Sequence, residues 1–191
     1  MKAIKGDPGY IRAEKKKRGL RTALAFGIVL VILITGYMIN GTKLNWLTLV
    51  AVLGCLPAAK VLVSLIVMLR YQSIDTDIYQ ELAGKTEQLT MVYETIITSR
   101  DHIMPVDIFA ISNHTICGYT HYDKVDVNET AKYVKDMLML NKYSNISVKI
   151  FTDYKAFSTR AEGMNNIAAI DCPDSKEQET GIKQLLLNIS L

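Results

Sequence analysis

Two apolar stretches decide the architecture: Thr22–Ile39, TALAFGIVLVILITGYMI, which carries no charge, and Trp46–Leu69, WLTLVAVLGCLPAAKVLVSLIVML, which carries only Lys60. At ~1.5 Å of rise per residue, each is long enough to cross about 30 Å of hydrocarbon as a helix. Only Asn40–Asn45, NGTKLN, joins them. So short a link between two spans predicts a helical hairpin through a membrane. A signal peptide also opens on a basic segment, but its apolar run is usually shorter and no second span follows at once.

Charge sets the expected orientation. Residues 1–21 hold eight Lys/Arg (Lys2, Lys5, Arg12, Lys15, Lys16, Lys17, Arg18, Arg21) against Asp7 and Glu14, a balance of +6. The link has only Lys43, and Arg70 closes the second span. Basic residues accumulate on cytoplasmic flanks, so both termini are expected in the cytoplasm and the link outside, in a cell (inner) membrane. Tyr37, Trp46 and Tyr71 fall where interfacial aromatic rings are expected. Three cysteines (Cys55, Cys117, Cys172) are an odd number with one in a span, which fits a reducing compartment. Asn40, Asn113, Asn128, Asn145 and Asn188 each open an N-x-Ser/Thr triplet, the acceptor pattern of glycosylated extracellular loops. Charge asymmetry is the stronger physical signal of the two. The plan is thus a basic cytoplasmic segment 1–21, a transmembrane hairpin 22–70 and a cytosolic α/β domain 71–191.

Within the first segment, Lys15, Lys16, Lys17 and Arg18 serve as a topology signal. They are also expected to attract anionic membrane lipids, at about 1 kcal/mol per charge near the surface. Lys60 lies ten residues before Arg70, hence ~15 Å deep. A charge there costs roughly 2.5–3.5 kcal/mol on insertion scales, and the first span offers no Asp or Glu. Two readings stay open: a deprotonated or water-reached lysine, or one that meets an acid on another copy of the hairpin or on a different membrane protein. Pro57 removes a helical donor and favours a kink, and Gly54, Ala58 and Ala59 make a surface narrow enough for close helix contact. Lys60, Gly54 and Pro57 are therefore the candidate residues for membrane association.

Residues 71–191 carry eleven Lys/Arg and seventeen Asp/Glu, a balance of −6 that weighs against a nucleic-acid surface. About 120 residues suffice for an independent core, so this portion is expected to fold without the hairpin. Ser73–Gln88 reads as a helix with acids in its first turn. Thr90–Thr98, TMVYETIIT, is rich in β-branched residues and reads as a strand. Ile103–Ile111, IMPVDIFAI, is apolar on both faces, as in a buried central strand. Asn113-His114 turns the chain into a third strand, Thr115–Tyr122. Val127–Leu140 is an amphipathic helix with Asn128 as its expected N-cap. Ile146–Phe151 is a fourth strand, and Tyr154–Asn165 and Ser175–Ile189 are helices. The core order is αβββαβ: an α/β domain with a mixed four-stranded sheet, because a crossover of that length allows a parallel return.

That order, with Val106-Asp107-Ile108 on the second strand and Ser147–Phe151 as the fourth, resembles the restriction-endonuclease-like fold and in particular nuclease-related domains of the NERD type, over about residues 73–160. The overall layout also resembles two-pass bacterial membrane proteins. In an active member of that fold, an Asp on the second strand and an acid-x-Lys on the third hold a divalent ion. The resemblance implies Asp107 as the first acid, with Glu81, Glu94 or Asp123 as the second. The third strand offers Tyr119, Thr120, His121 and Tyr122 where the acid-x-Lys should stand, so the resemblance implies the fold without its catalytic set.

Other patterns are weaker. Asp75-Thr76-Asp77 matches a metal–sugar-nucleotide D-x-D and equally an ordinary acidic helix start. His114, Cys117 and His121 lack the paired spacing of a structural zinc site. No Gly-rich phosphate loop, G-x-S-x-G or H-E-x-x-H occurs, and no cofactor or metal is expected. The expected function is a membrane protein presenting a non-catalytic domain to a partner or ligand; the alternative is a membrane-tethered, metal-dependent nuclease.

Overall fold

The computed structural model describes residues 4–40, 46–99, 102–169 and 176–191. Positions 41–45 of the link and Cys172 lie outside the described residues. The chain forms two compact units: residues 11–72, and residues 1–10 together with 73–191.

The first unit is a helical hairpin of α1 (Tyr10–Asn40) and α2 (Trp46–Leu69), both long and apolar enough to cross a membrane. The second helix has the bounds that its apolar run predicts. The first starts at Tyr10 rather than Thr22, because Ala13–Lys17 and the arginines beyond are strong helix formers that extend the span outward. Its 31 residues make a helix about 46 Å long.

The two helices run antiparallel and in register. A Cβ on Gly54 would stand 3.2 Å from Val29 Cγ2, Arg18 Nη1 donates to Ser64 Oγ at 2.9 Å, and Lys15 Nζ donates to the Leu69 carbonyl at 3.4 Å. Ala51 and Ala58 are buried on the same stripe of α2 as Gly54. The small residues therefore serve close contact inside the hairpin. Arg18 is also paired with Glu14 at 3.1 Å, so it is spent on the hairpin; Lys16 and Lys17 stay exposed. Lys60 is nine positions from Ala51, about 180° around the helix, and is exposed, as is Pro57.

The second unit is a three-layer α/β/α domain, and its architecture is the one read from the sequence. Its elements are α3 (Thr76–Lys85), β1 (Thr90–Thr98), β2 (Ile103–Ser112), β3 (Thr115–Tyr119), α4 (Val127–Leu140), β4 (Ser147–Phe151), α5 (Tyr154–Ala168) and α6 (Lys176–Asn188). The sheet order is β1-β2-β3-β4, antiparallel except for the parallel β3–β4 pair made by the α4 crossover. One core cluster joins Val92, Phe109, Ile111, Ile116 and Ile150 to Val134 and Leu138 of α4 and Ile182 and Leu186 of α6. The other joins Tyr93, Ile108, Ala110 and Cys117 to Leu82 of α3 and Phe157, Ala161 and Met164 of α5.

Local differences from the sequence reading have plain causes. Helix α4 is capped by Asp126, whose carboxylate accepts from the Asn128 and Glu129 amides, so Asn128 lies inside the helix. Helix α3 starts at Thr76 rather than Ser73, since Ser73 and Ile74 bond elsewhere. Strand β3 stops at Tyr119, because the Thr120 hydroxyl turns to the Pro105 carbonyl at 2.8 Å.

The largest difference is at the N-terminus. Residues 4–10, which the sequence reading placed in the basic segment, fold with the domain. The Tyr93 amide donates to the Gly6 carbonyl at 2.9 Å, and Lys5 Nζ donates to the Ser190 carbonyl at 2.7 Å. Gly6 has φ +93°, and a Cβ there would stand 2.9 Å from Leu187 Cδ2, so only glycine fits. The outer edge of β1 is thus covered by residues 4–9 and by the C-terminal stretch, where Ile97 bridges Ser190. Covering an edge removes a template for unwanted pairing.

Candidate functional site

Glu94 and Asp107 are the single charges in the middle of two apolar strands. The flanking pairs Tyr93↔Ile108 and Thr95↔Val106 set them opposite one another. Glu94 is 4% exposed and Asp107 5%. Both strands change phase at this point. Val92 and Ile97 enter the same cluster although they are five positions apart, and so do Val106 and Phe109, three positions apart. A strict alternation of two cannot do this. Glu94 absorbs the change with φ +53°, the left-handed region.

Each carboxylate is occupied. Glu94 Oε1 accepts from the Gly9 amide at 2.7 Å, from the Ile74 amide at 3.1 Å and from the Ser73 hydroxyl. One buried oxygen therefore ties the segment before the hairpin and the segment after it to the centre of β1. Asp107 Oδ2 accepts from the His121 amide at 2.7 Å and lies 2.8 Å from His121 Nδ1. Burial pushes the Asp107 carboxyl above the usual carboxylate range; the bonds from His121 work against this, and the nearby Glu94 charge adds to it.

A pH prediction follows. The folded state holds the Asp107 proton more tightly than the unfolded chain, so Asp107 favours folding most below its ordinary value of 3.8. That contribution is lost as pH rises from 3.8 through the raised value. Asp107→Asn should thus gain stability relative to the unaltered protein as pH rises through that window, read as thermal midpoints of both proteins against pH. Parallel curves would show that Asp107 does not titrate differently in the two states.

The remaining predicted residues scatter. Glu81 sits exposed on α3, bonded to Lys85 Nζ at 2.8 Å and to the Tyr154 hydroxyl at 3.0 Å. The Lys85 bond holds its carboxyl below the usual range, and burial followed by the Glu81 bond pushes Tyr154 up to about 12. Asp123 is exposed in the turn beyond β3. Asp75 is the residue before α3 and Asp77 lies in its first turn. Cys117 is buried, its thiol pushed up by that burial, whereas His121 falls past the end of β3 and His114 is exposed in the turn before it. Among the described residues, no three of His, Cys, Asp and Glu are grouped to hold a metal ion.

The sequence reading missed a basic cluster at the β4 edge of the sheet. A groove of about 570 Å³ is lined by Lys149 and Phe151 of β4 and by Lys155, Ala156, Thr159, Arg160 and Gly163 of α5. The α5 residues fall at helical spacing on one face, a signal legible in the sequence once the helix is placed. Neither the family models, nor the curated proteins, nor the solved structures contain a match to this chain.

Proposed function

We propose that the protein is a membrane-anchored binding protein: a two-pass hairpin holding a non-catalytic α/β domain at the cytoplasmic face, where the domain receives a partner. The observation that carries this reading is the Glu94 clasp. Gly9 and Ile74 flank the two spans in sequence and bond the same carboxylate oxygen, so they belong on one side of the membrane. The +6 segment favours the cytoplasmic side. The two buried acids that a nuclease would need are engaged with the chain's own donors, which supports a structural role for both.

Cysteine labelling tests the placement. In intact cells a thiol introduced at Thr42 should react with an impermeant reagent, and Cys172 should react only after permeabilisation. The reverse pattern would put the domain outside and overturn the proposal.

The reading extends to association within the bilayer through Lys60. Its position on the side of α2 away from Ala51 leaves an ammonium facing outward from the hairpin, where removal from water is costly without a partner. Photobleaching steps of single assemblies in bilayers should shift toward monomers in Lys60→Leu, or a bound membrane protein should be lost from the detergent extract. An unchanged step distribution with an unchanged set of co-purifying proteins would assign Lys60 to a water-reached position.

A further inference from the structure

The sheet has two edges, and among the described residues only the β1 edge is covered. In the parallel β3–β4 ladder, the Ser147 amide donates to the His114 carbonyl at 2.8 Å and the Phe151 carbonyl accepts from the Thr120 amide at 3.0 Å. These bonds fix the parity: Ser147, Lys149 and Phe151 bond inward, so Val148 and Ile150 turn their N–H and C=O groups outward. Among the described residues, no strand or loop backbone bonds to them. The edge therefore offers two donors and two acceptors in a row.

The two flanks of this edge differ in chemistry. On the α5 side lies the groove with Lys149, Lys155 and Arg160, and no carboxylate is among its lining residues. Asp153 is near but caps α5, accepting from the Lys155 amide at 3.1 Å. Lys149 stands 4.9 Å over the Phe151 ring, which holds the ammonium at the groove. On the α4 side a second groove of about 540 Å³ is lined by Leu138, Met139, Tyr143 and Ile146, with Lys135 as its one charged lining residue and Met139 53% exposed.

We propose that β4 receives an extended peptide segment of a partner protein whose residues alternate acidic and apolar, added as a fifth strand. Backbone pairing to Val148 and Ile150 supplies the bonds, and the alternation of a strand delivers acids to Lys149, Lys155 and Arg160 and apolar side chains to the Met139 side. This rests on the reading of the domain as a binding module and names the class of its partner. A second copy of the chain fits poorly, because β4 against β4 sets Lys149 beside Lys149. That lysine thereby guards the edge against self-association while admitting an acidic strand. A nucleic acid meets the cations but has no backbone to pair.

The test uses the full chain in nanodiscs of zwitterionic lipid and a labelled peptide alternating Glu and Val, read by fluorescence anisotropy. Saturable binding is expected, with the Lys/Val counterpart weaker by about tenfold or more. Lys149→Glu with Arg160→Glu should weaken the acidic peptide similarly, while Lys176→Glu, exposed at the start of α6 and outside both grooves, should not. Two further peptides, N-methylated on alternate residues of either parity, need no change to the protein. One should lose binding and the other keep it, because the side-chain alternation fixes the register. Equal binding by both methylated peptides would reduce the site to charge attraction and overturn strand addition. So would binding of phosphatidylglycerol vesicles or inorganic phosphate without binding of the peptide. Failure of strand addition would leave the labelling result, and so the membrane placement, untouched.

Discussion

Glu94→Ala is expected to lower the unfolding free energy of the domain by about 3 kcal/mol or more, because it strands three half-buried donors that share one oxygen of this buried side chain. The Gly9 and Ile74 amides and the Ser73 hydroxyl all address one oxygen. Glu94→Gln keeps an acceptor of the same reach and should lose markedly less. Denaturant melts of the purified protein measure the difference. Trypsin offers a second readout, since Lys5 is held on the Ser190 carbonyl in the intact domain and should be cut early once the clasp is gone. A loss confined to a few tenths of a kcal/mol, typical of an exposed surface substitution, would show that the carboxylate carries little.

The second large effect concerns where the domain can be cut. Residues 73–191 alone lack Lys5, Gly6 and Gly9, and with them three bonds to β1 and the C-terminal stretch. A fusion of residues 1–10 to 73–191 through a short Gly/Ser linker restores them, because Gly9 and Ile74 meet on the same oxygen. The fusion should be more stable than the bare fragment by about 3 kcal/mol, or roughly 10 °C in Tm. Equal melting temperatures would mean that the N-terminal residues decorate the edge without supporting it.

The place of residues 4–9 against β1 escaped the sequence reading for a specific reason. Nothing periodic marks residues 4–9. Their signal is Gly6-Asp7-Pro8-Gly9, a turn between two glycines that both adopt positive φ, set inside a run read for its charge alone. Strong patterns were legible: α2 and β1 have the bounds their residues predict, because a charge-free span and a β-branched run leave few alternatives. Caps were legible only to within a residue or two, since Asp126 and Asn128 are both short polar acceptors. The pairing of Glu94 with Asp107 had a trace that went unused. Each is the lone acid at the centre of an apolar strand, and two such strands joined by a short turn set their centres side by side. The basic groove stayed hidden because Lys149 and Arg160 come together only when α5 folds back over β4.

Lys5 and Ser190 are 185 positions apart in the chain, and the whole hairpin is synthesised between them. The earlier partner leaves the ribosome long before the later one exists. Closure of the β1 edge must therefore await the emergence of the C-terminal stretch. Under the proposed two-span placement, a chain in which one span failed to insert would have residues 4–9 and the domain on opposite sides of the bilayer, with the edge left open to proteolysis. Under that placement, completion of the fold is a check on the topology of the molecule: only a chain that crosses the membrane an even number of times can bring its two distant ends together.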